Sequence, residues 1–98
     1  MNPQFEDTEQ RAISLMLFVA GNSPRSNRAV RQLNEALETR GIDPSAVEVV
    51  DALRQPRVAL EYRIFATPAL IARPLSDGAL YGDLSDREAL DRFLDGML

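Results

Sequence analysis

The chain is predicted to be a single α/β domain, a mixed sheet flanked by helices in the order βαβαββα. Three observations predict it. The run Ile13 to Ala20 is almost continuously apolar and rich in Ile, Phe and Val, as a strand buried on both faces must be. A long amphipathic segment follows it, bounded by helix start and stop residues. The last third holds a short apolar strand, an Asp-Gly turn and a terminal helix, which adds an antiparallel hairpin to a parallel pair.

With 98 residues there is room for one core. Residues 1–12 read as a polar N-terminal tail and residues 13–98 as the domain. No apolar run approaches the roughly 20 residues that span a bilayer, and the acidic start lacks the basic and apolar regions of a secretory signal. A cytoplasmic protein is expected. Net charge is −4 and every basic residue is arginine. Arg25, Arg28 and Arg31 cluster, but Glu35 and Glu38 follow on the same segment, so a solvated helix face is expected instead of a nucleic-acid footprint. Cysteine and histidine are both absent. That inventory excludes dithiol exchange, thiolate nucleophiles, Cys/His zinc sites and histidine bases; no cofactor or metal is expected.

Each element has its own signals. After the first strand, Gly21-Asn22-Ser23-Pro24 breaks the run. Ser23 suits a helix N-cap, and Pro24 suits the first helical position, where its missing N–H costs nothing. Ala29, Val30, Leu33, Ala36 and Leu37 form one stripe, and Gly41 stands where a left-handed residue ends a helix. Ile42 to Ser45 is a loop; Val47, Val49 and Val50 mark a second strand, which makes a right-handed βαβ unit. Pro56 opens a shorter helix through Tyr62, with Val58, Ala59 and Tyr62 inward. Ala69 to Ala72 is the third strand, Ser76-Asp77-Gly78 the turn, and Ala79-Leu80-Tyr81 the returning strand. Ser85-Asp86-Arg87-Glu88 reads as a capping box in which Ser85 and Glu88 satisfy each other's backbone N–H groups. Ala89, Leu90, Phe93, Leu94 and Met97 supply the terminal helix's apolar stripe. This order is the thioredoxin-like arrangement.

Three segments stand where such a fold places function. Thr67-Pro68 opens the third strand directly, which favours a cis bond facing the turn after the first strand. Ser23-Pro24-Arg25-Ser26 lies at that turn; Ser23 is expected to cap the helix and Ser26 to face solvent. Asp83 and Asp86 flank a helix start, where the macrodipole favours acids without any catalytic role.

The residues Leu17-Phe18-Val19-Ala20-Gly21-Asn22-Ser23-Pro24-Arg25-Ser26, Val49-Val50-Asp51-Ala52-Leu53-Arg54-Gln55-Pro56, Ala66-Thr67-Pro68-Ala69-Leu70 and Gly82-Asp83-Leu84-Ser85-Asp86-Arg87-Glu88 resemble, in order and spacing, the KaiB circadian-clock family. The resemblance implies a non-enzymatic binding module for the ATPase ring of KaiC, in a complex that captures KaiA and competes with a sensor histidine kinase. A related domain forms the sensory input region of such a kinase. The resemblance also implies two folds, one tetramer-forming and one thioredoxin-like, monomeric and competent to bind, which differ from about Arg54 onward. Arg28, Arg63, Thr67 and Pro68 keep the family's residue types and are the expected partner-binding residues. Pro68, Pro74, Ser85, Glu88 and Phe93 are expected to decide the fold. In the family pattern a glycine stands at Phe93, so a monomer resting in the thioredoxin-like state with Phe93 buried is expected.

The chain departs from the pattern in two places. Pro74 to Tyr81 keeps one proline but lacks the basic pair that precedes Gly-Asp-Leu-Ser, and Glu48 replaces a lysine. A divergent KaiC-like partner, or a different protein, is therefore expected. The alternative reading is the glutathione-binding half of a glutathione transferase, which Ser23-Pro24, Thr67-Pro68-Ala69-Leu70 and Asp77-Gly78 also resemble. Against it, the helical second domain is absent and no acidic residue directly precedes Ser85.

Overall fold

The computed structural model describes residues 14–73 and 78–96. The expected tail over 1–12, Ile13, Pro74, the Ser76-Asp77 part of the turn and Met97 lie outside the described residues. The order is β1 (Ser14–Val19), α1 (Pro24–Thr39), a 3-10 turn (Pro44–Ala46), β2 (Val47–Asp51), α2 (Pro56–Glu61), β3 (Ala69–Arg73), β4 (Leu80–Tyr81) and α3 (Arg87–Asp95). The sheet runs β2-β1-β3-β4. Leu17 of β1 pairs in parallel with Val49 and antiparallel with Leu70, and Ala69 of β3 pairs antiparallel with Tyr81.

β1 is unbroken in its apolar character because it is central and covered on both sides. Leu15, Leu17 and Val19 face a core built with Leu33, Ala36 and Leu37 of α1 and Leu90 and Leu94 of α3. Met16 and Phe18 face the opposite core, with Val50, Ala59, Ile64 and Ile71. So α1 and α3 cover one face of the sheet and α2 the other. Ser23 caps α1 as expected, its side chain accepting from the Ser26 N–H. Gly41, at φ 73°, ends it: Gly41 N–H donates to Glu38 and Ile42 N–H to Leu37, a closure that needs the left-handed region.

Two expectations about α3 are corrected. The capping box of Ser85 and Glu88 does not form. Leu84 sits in the left-handed region at φ 64°, and Ser85 Oγ turns back to donate to Asp83 Oδ1 at 2.6 Å. The helix starts one residue later, capped by Asp86, which accepts from Ala89 N–H at 3.1 Å. Glu88 then falls one position short of reaching the cap, and lies 3.8 Å from Arg92 on the exposed face. Phe93 is half-buried, not buried, though it packs against the α1–α3 core. Leu90 and Leu94 occupy the centre of the stripe, and a residue three positions from Leu90 is rotated to its flank.

Candidate protein-binding site

The turn from β1 into α1 is tied down by hydroxyls. Ser23 Oγ donates to Ser26 Oγ at 2.8 Å, and Ser26 Oγ also accepts from Ala20 N–H at 3.0 Å. Ser26 is therefore buried, at 1 % exposure, and not solvent-facing as the sequence suggested. The backbone N–H of Ala20, at the end of β1, needs an acceptor, and a hydroxyl one helical turn inside α1 supplies it. Asp51 Oδ1 does the same for the N–H groups of Gly21 and Leu53, both at 3.0 Å. These side chains hold the loop; their hydrogen bonds are with one another and with backbone.

Beside this turn the Thr67-Pro68 bond is cis, with Thr67 half-buried and Pro68 buried. The Pro68 carbonyl accepts from Gly82 N–H at 2.9 Å. The next residue, Asp83, accepts at Oδ2 from Arg28 Nε at 3.0 Å. The loop after β4 thus links two expected site elements, the Pro68 corner and Arg28 of α1. Arg25, Tyr81, Asp83, Ser85 and Asp86 line an open cleft of about 310 Å³ beside it. The Ser85 hydroxyl and then the Arg28 guanidinium hold the Asp83 carboxyl down at about 2, against 3.8 ordinarily. A depressed carboxylate pKa stabilises the fold above the unfolded value and loses that contribution as pH falls toward the folded one. Its window is therefore about pH 4 down to 2. A carboxyl NMR titration is expected to show Asp83 ionised down to about pH 2, with Ser85→Ala and Arg28→Gln each raising the midpoint. A wild-type midpoint near 4 would contradict this network.

Arg63 lies elsewhere. It follows α2, on the sheet face opposite α1, between Tyr62 and Ile64 of the core there. Arg63 N–H donates to Leu60 and Ile64 N–H to Ala59, so Arg63 is the left-handed closing residue of the helix, at φ 58°. Glycine is the usual residue there, and a side chain at positive φ costs about 1 kcal/mol or more. Its side chain is exposed. Near it in the chain stand residues that sequence reasoning passed over, Leu60 and Phe65, 69 % and 81 % exposed; Leu53, 71 % exposed, precedes α2 and lies beside Gly21. Arg54 and Arg57 are exposed too, and among the described residues no ion pair engages Arg54, Arg57 or Arg63. A signal was available, since Leu60 falls outside the Val58, Ala59, Tyr62 stripe. Large apolar groups interleaved with free arginines mark a surface for protein contact more than for a small polar ligand. Among the described residues no group of carboxylates is placed to hold a metal ion, and no helix is long and apolar enough to cross a membrane.

The profile of the KaiB domain matches residues 16–96. The chain belongs to the KaiB family. The circadian clock oscillator protein KaiB of Synechococcus sp. (strain RCC307) is 47 % identical over 75 residues, covering 76 % of this chain and 68 % of that protein. Its counterpart in Acaryochloris marina is 48 % identical, covering 76 % and 72 %. Among solved structures, mitochondrial thioredoxin 3 of Saccharomyces cerevisiae superposes with a TM-score of 0.69 at 15 % identity, over 95 % of this chain and 88 % of that one. The thioredoxin Deadhead of the fruit fly gives 0.70 at 11 % identity, over 99 % and 90 %. These likenesses establish the thioredoxin-like fold. Within the KaiB family, Ser23 and Ser26 of this chain occupy the turn where a thioredoxin carries its redox pair, and the two hydroxyls serve the backbone.

Proposed function

We propose that this KaiB-family chain is a clock or regulatory adaptor that works by protein–protein contact and is not an enzyme. Its partner is a KaiC-type ATPase ring, divergent enough to accept Glu48 and the missing basic pair; KaiA and a sensor histidine kinase are further or competing partners. It acts as a cytoplasmic monomer. The observation that carries this reading is the surface around α2. Among the described residues Arg63 has no ion-pair partner, and it stands between Leu60 and Phe65, both largely exposed. Arginine and large apolar side chains dominate interface energetics. The Pro68 corner and Arg28 supply a second, ordered part of the binding face. A residue inventory without cysteine or histidine supports a role in binding.

The test is a binding titration against the KaiC-like ring purified from the same host. Arg63→Glu is expected to weaken binding at least about tenfold while leaving the circular dichroism spectrum unchanged, with Arg28→Glu weakening it less because Asp83 already neutralises Arg28. Undiminished affinity in Arg63→Glu removes Arg63 from the site. No binding by the wild type refutes the partner. Glutathione raising the melting temperature would favour the transferase reading instead.

A further inference from the structure

Helix α3 is anchored lightly. Within it only Leu90 and Leu94 are buried, whereas α1 buries Ser26, Ala29, Leu33, Ala36 and Leu37. What α3 has in addition is one arginine of the neighbouring helix. Arg40, at the end of α1, donates from Nη1 to the Ala36 carbonyl and to Asp91 Oδ1, both at 3.2 Å. From Nη2 it donates to the Asp91 carbonyl at 3.4 Å and to Asp95 Oδ1 at 2.8 Å. Its side chain is only 19 % exposed.

This is not an isolated surface pair, which typically contributes little. The guanidinium is largely withdrawn from water and spans two carboxylates and two backbone carbonyls. Charge-assisted bonds in such a fork hold geometry as well as energy. Asp91 also meets Arg87 Nε at 3.4 Å within α3, and the remaining helical pair, Arg92 with Glu88 at 3.8 Å, does not involve α1. Arg40 is thus the cation that crosses from α1 to α3 at this end.

We propose that Arg40 is an electrostatic latch: its bonds to Asp91 and Asp95 set how often α3 lifts from α1, so undocking of α3 is governed by charge. The latch works without any partner protein. Undocking would uncover Leu90, Leu94 and the apolar stripe of α1 beneath them, changing the surface that the C-terminal unit presents. Salt weakens the latch, because Asp95 is 70 % exposed and open to screening.

Native-state hydrogen exchange on the full chain tests this. In both Arg40→Glu and Asp95→Arg, amides of α3 are expected to exchange at least about tenfold faster than in the wild type, while those of β1 keep their rates. The double variant Arg40→Glu/Asp95→Arg, which restores an opposite-charge pair, is expected to slow α3 exchange below that of either single variant. Asp95→Arg carries the test alone if Arg40→Glu is too unstable to measure, since Asp95 lies at the surface. Unchanged α3 rates in Asp95→Arg, or a double variant that exchanges no more slowly than Asp95→Arg, would overturn the latch.

Discussion

Phe18→Ala is expected to destabilise the fold by about 3–5 kcal/mol, a large fraction of the 5–15 kcal/mol that holds a domain of this class together. Phe18 is fully buried in the central strand, paired with Val50 on one side and Ala69 on the other. It is the largest fully buried side chain in the core beneath α2, whose other buried members are aliphatic or small. The one aromatic near it, Tyr62, lies at 6.0 Å between ring centroids and is fixed from outside by Arg73, which donates to its hydroxyl at 2.7 Å. Neither strand partner can move to fill the void, because both are held in register by β1. A cavity term therefore adds to the lost transfer energy. Phe65→Ala, at 81 % exposure, should change stability by no more than about 0.5 kcal/mol. Urea titration of the two variants checks the contrast; a loss below about 1 kcal/mol for Phe18→Ala would refute it.

Phe93→Gly is expected to cost about 1.3–2 kcal/mol and to act on the choice of fold. About 0.5 kcal/mol comes from helix propensity. Roughly half of the 1.5–3 kcal/mol for burying a phenylalanine follows, because Phe93 is half-buried against the core. The substitution introduces the glycine that the resemblance to the KaiB pattern implies at this position. Two packings of one sequence can differ by only a few kcal/mol, so on the two-fold reading that the resemblance implies, this loss is expected to shift the balance toward a tetramer-forming state. The wild type is expected to scatter light as a monomer of 10.9 kDa, with helical chemical shifts across residues 87–95. A tetramer mass for the wild type, or strand shifts there, would sink the idea.

Much of this architecture was legible before any coordinates. The residues Ile13 to Ala20 announce a two-sided strand because burial on both faces removes alternation, and Ser23, Pro24 and Gly41 bracket α1 because caps and left-handed closures each suit few residue types. The Thr67-Pro68 corner and the arginines at 28 and 63 were visible through resemblance. Their relation was not. Spacing says nothing of Gly82 bonding the Pro68 carbonyl, or of Asp83 reaching Arg28 across 55 positions.

The sequence by itself determined the order of elements, the central place of β1 and the family. Those follow from periodicity, terminal residues and motif, which are local or linear properties. The tertiary structure alone decided three things. Ser26 turned inward because the end of β1 left a backbone N–H in need of an acceptor. Asp86 replaced Ser85 as the cap because Asp83 had already drawn the serine away. Arg63 stands beside exposed Leu60 and Phe65 with no ion-pair partner among the described residues, while Arg28 is paired with Asp83. In each case the distances in the folded chain, which no local pattern in the sequence encodes, decided which groups meet.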